Sequence, residues 1–154
     1  MKLAARWSER LEALLPELID FRRHLHAHPE LSGEEHQTAA LIAGDLRKAG
    51  WRVREGIGRT GLVADLGPVQ GPKLGLRVDM DALPIEEKTD LPYASLRQGV
   101  MHACGHDLHS TIGLGVARLL AAEPQLPVGM RLLFQPAEEI AQGARWMREA
   151  GATE

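Results

Sequence analysis

Short apolar runs alternate along this chain with longer amphipathic ones, and no other feature narrows its fold as far. Strand-like segments fall at Trp51–Arg54, Gly61–Leu66, Lys73–Val78 and Val128–Phe134. Gly56, Gly58, Gly67, Pro68, Gly71 and Pro72 punctuate the first three. Helical periodicity begins with Trp7, Leu11, Leu14, Leu15, Leu18, Ile19 and Leu25, a one-sided stripe that ends before Pro29. Ser32 and Glu35 have the spacing of a capping box for a second helix, Glu34 to Ala49, which Gly50 closes. A third helix is expected over Thr111–Ala122, with Pro124 and Pro127 beyond it, and a fourth over Gln142–Ala150, ended by Gly151. This alternation predicts an α/β domain with a mixed or parallel sheet covered by helices. The chain's 154 residues suit one such domain, and no repeat or low-complexity linker divides them.

Composition excludes several classes of function. A net charge of −3 lacks the basic excess expected of a nucleic-acid binder. One cysteine rules out an internal disulfide framework and fits a reducing compartment. Met1–Arg6 leads into charged residues instead of an apolar signal core, and no apolar run approaches the roughly 20 residues of a membrane span. The expectation is a cytoplasmic protein without nucleic-acid or membrane partners.

Chemistry concentrates in two patches. His102-Ala103-Cys104-Gly105-His106-Asp107-Leu108-His109 carries the lone cysteine, three of the seven histidines and an acid. Gln135-Pro136-Ala137-Glu138-Glu139 follows the last strand-like run. Thiolate, imidazole and carboxylate are the side chains that bind zinc-like metals. Cys104 and His106 fall at or just before a helix N-terminus, which lowers a thiol's pKa and favours the thiolate. With Glu139 they make three mixed donors, which suits an open catalytic site better than a closed structural one. One glutamate would then bind metal while its neighbour takes a proton from water that the metal acidifies. Blander roles stay open for the same residues: a buried cysteine as a small hydrophobe, and a glutamate pair at an exposed helix start. Asp79 and Asp81, at the end of the third strand, sit where α/β folds place their chemistry, or else cap the next turn. Arg22, Arg23, His24, His26 and His28 suit a helix C-terminus and are read as structural or solvated. From Pro84 to Met101 the chain has little periodicity and reads as a long surface loop, a type of segment that is often functional.

Four segments, in this order, resemble the signatures of the M20 metallopeptidase family: His24–Ser32, Arg77–Pro84, Met101–Asp107 and Phe134–Glu139. The similarity is to its amidohydrolase branch, which includes hippurate hydrolases, N-acyl-amino-acid amidohydrolases and plant auxin-conjugate hydrolases. The resemblance implies a three-layer, zinc-exopeptidase-like (phosphorylase/hydrolase-like) α/β sheet with helices on both faces, incomplete here. It implies that Cys104, His106 and Glu139 bind a divalent metal pair (manganese, zinc, cobalt or nickel). It further implies that Glu138 is the general base and acid and that Asp81 supports the site as a second acid. The substrate class it implies is a small N-acyl amino acid.

Leu108 stands where the branch usually has glycine, and Ile140-Ala141-Gln142 replaces a common glycine-rich run. Family enzymes are longer, with two further ligand histidines and a lid and dimerisation domain, whereas no histidine follows Glu139 here. Residues 1–154 are therefore expected to be the N-terminal portion of such a catalytic domain. Two functions follow: an amidohydrolase module, or a non-catalytic remnant that binds metal or another chain. Apolar surface left by an incomplete sheet predicts self-association or a complementing chain.

Overall fold

The computed structural model describes residues 2–154, with side chains from residue 5 onward. In order, the elements are helices α1 (Lys2–Ala27) and α2 (His36–Lys48), strands β1 (Arg52–Glu55), β2 (Leu62–Leu66) and β3 (Lys73–Asp79), helix α3 (His106–Ala121), strand β4 (Gly129–Gln135) and helix α4 (Gly143–Glu149). The strands form one mixed sheet in the order β1-β2-β4-β3. β1 with β2, and β2 with β4, run antiparallel, whereas β3 and β4 are parallel. Parallel neighbours need a crossover, and α3 supplies it.

One face of the sheet packs against α2 and α3, with α1 lying outside against α3. Ile42, Leu46, Leu62, Leu114, Leu132 and Phe134 are all but inaccessible to solvent between these layers. Helix and sheet approach closely at Gly113, where a Cβ would come within 3.1 Å of Val78 and 3.3 Å of Phe134. Among the described residues the opposite face carries only α4, whose Met147 joins Val63 and Ala152 in a small second cluster. The expected α/β three-layer architecture is therefore present, with one thick and one thin helical layer.

One sequence expectation changes. The capping box does not form: Ser32 Oγ donates to Asp81, and the Glu35 side chain turns away from its own helix. The Glu30 carboxylate caps α2 instead, accepting the amides of Gln37 (3.1 Å) and Thr38 (2.8 Å). Helix α3 begins at His106, at the N-terminus expected there and five residues before the apolar stretch from Thr111. Its start buries the polar His106, Asp107 and Ser110, so apolar periodicity could not mark it.

Residues 84–101 form the expected long connection and contain no helix or strand. An isolated bridge of Leu83 with Met101 closes the base of this loop. His26 clamps it: Nδ1 lies 2.7 Å from Asp107 and Nε2 3.1 Å from Glu87. At 3% exposure His26 is structural and not solvated. Among the described residues, no helix is long and apolar enough to cross a membrane.

Candidate metal centre

The parallel pairing of β3 and β4 brings the two chemical patches together. Asp79 and Gln135 are register partners at the ends of these strands, and Met80 N donates to Gln135 O at 3.1 Å. The chain beyond each strand therefore emerges on the same side, above the N-terminus of α3. Asp79 and Asp81 arrive from β3, Glu138 and Glu139 from β4, and Cys104 and His106 from the turn into α3. Gly105 makes that turn at a φ of 88°, a conformation that glycine adopts without penalty.

Two groups of three candidate donors form among the described residues: Cys104, His106 and Glu139, and Asp79, His106 and Glu138. Within each group the donor atoms lie within 4.8 Å of one another. His106 Nε2 is 3.8 Å from Glu138, 3.9 Å from Glu139 and 3.5 Å from Asp79. The first group is the better cation site. Its sulfur, nitrogen and oxygen donors match a zinc-like ion, whereas Asp79 is already paired, with Arg77 at 2.8 Å and with His109. Cys104, His106 and Glu139 suit a divalent cation, while Asp79 forms part of the second group and is held by Arg77 and by His109, a partner that the sequence reading did not assign.

Electrostatics favour positive charge at this point. Burial opposes an imidazolium at His106, but the hydrogen bond to Asp81, the Cys104 sulfur and the Asp79 charge outweigh it and push the pKa up to about 11. A field that holds a proton so firmly would also stabilise a metal dication in its place. Burial alone would raise the Asp81 carboxyl, yet the His106 imidazole, 3.3 Å from Oδ1, together with Ser32 and the amides of Glu139 and Glu138, holds it at about 2. Asp81 is therefore a buried carboxylate spanning three segments, with Ser32 Oγ at 2.6 Å and Glu139 N at 3.0 Å. His102 behaves differently. Burial lowers it to about 4, and neither ring nitrogen has a hydrogen-bond partner among the described residues.

The glutamate turn is tightly constrained. Ala137, fully buried, has a φ of 50°, a left-handed conformation costing a non-glycine residue about 1–2 kcal/mol. Its amide donates to Glu35 at 2.8 Å, and its carbonyl accepts from Gln142 (3.2 Å) and Gly143 (3.1 Å). Glu138 and Glu139 project from this turn with side chains 39% and 22% exposed, open to a small molecule.

Known proteins resemble this chain closely. The profile of peptidase family M20/M25/M40 matches residues 75–154. An N-acetyl-L-cysteine deacetylase of Bacillus subtilis is 51% identical over 143 residues, covering 92% of this chain and 34% of its own length. A hippurate hydrolase of Campylobacter jejuni is 45% identical, covering 92% of this chain and 39% of its own length. The crystal structure of a Bacillus subtilis protein described as a dinuclear metal-binding peptidase of the M20 family superposes with a TM-score of 0.85 at 45% identity, over 91% of this chain and 40% of that one. The chain thus spans between a third and two fifths of the length of these relatives.

Proposed function

The chain belongs to peptidase family M20/M25/M40, and from that premise we propose that it is part of a metal-dependent amidohydrolase that splits N-acyl amino acids into a carboxylate and a free amino acid. The carrying observation is the meeting of Cys104, His106 and Glu139 donors within 4.8 Å, with Glu138 beside them. The deacetylase and hydrolase relatives support the substrate class. The dinuclear relative supports a metal pair, for which manganese, zinc, cobalt and nickel are the candidates.

In this reading Cys104, His106 and Glu139 hold the cation. A divalent ion supplies positive charge that polarises an amide carbonyl and acidifies water. Glu138 takes a proton from the attacking water and returns it to the leaving amine, which allows one carboxylate to act as base and then acid. Asp81 orients both ligand segments, accepting the amide of Glu139 and, through its carbonyl, Nδ1 of His106.

Residues 1–154 are, on this reading, the N-terminal portion of the catalytic domain, with the lid and dimerisation domain outside them. Donor atoms of Asp79, His106 and Glu138 lie within 4.8 Å of one another beside the first group, and further donors for a metal pair would come from another segment or chain. Leu11, Leu15, Ile19, Leu108 and Ile112 expose an apolar groove between α1 and α3, which supports self-association or a complementing chain. Light scattering that finds only monomer would remove that part of the proposal.

The test is hydrolysis of N-acetyl and N-benzoyl amino acids by the purified chain with manganese or cobalt, with metal content measured in parallel. Glu138→Gln should abolish turnover and keep the metal, whereas Cys104→Ala and Glu139→Ala should lose it. Unchanged metal content in Cys104→Ala would overturn the ligand set.

A further inference from the structure

Glu35 occupies an unusual position for a carboxylate. It is fully buried and accepts three hydrogen bonds: from the amides of Gly33 (2.9 Å) and Ala137 (2.8 Å), and from the Thr60 hydroxyl. No cation pairs with it among the described residues, although burying an uncompensated charge is costly. It is not needed to cap α2, because Glu30 does that. Two residues beyond its contact at Ala137 stands Glu139, and Glu138 lies between them.

We propose that Glu35 is the positioning residue for Glu138 and Glu139, holding the left-handed Ala137 turn from which both project. The inference rests on the functional reading above and adds a residue to it. Two carboxylates then divide the work: Asp81 fixes the amide of Glu139, and Glu35 fixes the amide two residues earlier. Both are reached from the Ser32–Glu35 segment, since Ser32 donates to Asp81. One loop thereby sets the separation between the glutamates and the Cys104–His106 turn. Hydrogen bonds to a fixed, buried carboxylate locate a backbone more sharply than contacts with mobile surface groups.

The test compares Glu35→Ala, Glu35→Gln and the double variant Glu35→Ala with Ala137→Gly in the full chain. Two signals are read: hydrogen exchange of the Ala137 amide by NMR, and titration with cobalt(II) followed by its absorption. In Glu35→Ala the Ala137 amide should lose protection and cobalt affinity should fall about 10–100-fold. The thiolate-to-cobalt charge-transfer band of Cys104 should persist at saturation. Glu35→Gln keeps an oxygen for both amides, and Thr60 can reverse its bond, so it should restore most of both signals. Glycine adopts a positive φ without penalty, so Ala137→Gly should recover part of the affinity; a merely structural Glu35 would show no such rescue. Should Glu35→Ala fail to fold, Glu35→Asp keeps the charge but is too short to reach Ala137, and should show the same losses. Unchanged Ala137 protection and cobalt affinity in the shortened variant overturn the proposal. If the unmodified chain shows no charge-transfer band, the metal reading fails, and Ala137 exchange alone decides whether Glu35 holds the turn.

Discussion

Nδ1 of His106 lies 2.9 Å from the main-chain carbonyl of Asp81, and a carbonyl can only accept, so Nδ1 carries the proton of that bond. The other nitrogen, Nε2, therefore faces Glu138 and Glu139 and is the one available to a cation. Ligand histidines in metal sites are commonly oriented by such a bond from the second nitrogen. The residue that supplies this carbonyl also accepts Glu139 N through its side chain, so Asp81 orients a nitrogen ligand and an oxygen ligand together.

Asp81→Asn is accordingly expected to weaken metal binding about 10–100-fold while leaving the fold intact. An asparagine can still accept from Ser32 or Glu139, but its amide would face Nδ1–H of His106 donor to donor. Calorimetric titration of the variant with manganese or zinc checks this. Affinity equal to that of the parent chain would show that Asp81 does not orient the ligands.

His26 gives a second prediction, about stability. It sits between Asp107, whose side chain is 0% exposed, and Glu87, at 4%. His26→Ala takes the imidazole from both carboxylates, although Asp107 keeps Arg22 Nε at 2.8 Å, and a buried polar group that loses a hydrogen-bond partner costs about 1–3 kcal/mol. His26→Ala should lower urea-unfolding stability by that order and speed proteolysis within 84–101, where Glu87 also accepts Ser95 N at 2.6 Å. Loss of stability without faster cleavage in this loop would separate the clamp from the loop.

Much of this was legible in the sequence, and the gaps have physical reasons. Strand boundaries fell within about a residue because short apolar runs bounded by glycine and proline leave few alternatives. Cys104, His106 and the glutamate pair stood out by residue type, which is what metal chemistry selects. Apolar periodicity marks α3 only from Thr111 because the buried face of its first turn is polar, whereas residue type places Cys104 and His106 at or just before its N-terminus, where the helix does begin. Glu35 was misassigned because local spacing matched a capping box, whereas its actual partners, Thr60 and Ala137, lie 25 and 102 residues away. Which acid meets which distant amide depends on sheet register, and local patterns do not encode it.

Acid sensitivity follows from Asp65, far from the metal centre. Two nitrogens of the Arg131 guanidinium reach its carboxylate at 2.8 Å each, and Lys73 Nζ stands 3.3 Å away. Burial would raise this carboxyl, but the cations outweigh it and hold it below the usual range. A carboxyl with a lowered folded-state pKa adds stability above its unfolded value of about 3.9 and loses it as pH falls through the lower one. Stability should therefore decline on acidification below about pH 4, and the advantage of the parent chain over Asp65→Asn should shrink across that range. Unfolding free energies by circular dichroism from about pH 6 to about pH 3 give the comparison. A constant difference between the two chains would mean that ionisation of Asp65 is not what matters.

Gly143 tests the turn from its other side. A Cβ there would fall 1.5 Å from the Pro136 carbonyl oxygen, far inside any allowed contact, and the obstructing atom is backbone that cannot rotate away. Gly143→Ala must displace either α4 or the Pro136–Ala137 peptide. Overpacking of this kind costs roughly 1–3 kcal/mol. Displacing the peptide would also break the bonds from Gln142 and Gly143 to the Ala137 carbonyl. The expected result is a lower midpoint in urea together with weaker metal binding, since Glu138 and Glu139 follow directly. A variant that loses stability but binds metal as before would mean that α4 yields and the turn does not. A variant unchanged in both would mean that the close approach of Gly143 to Pro136 is wrong.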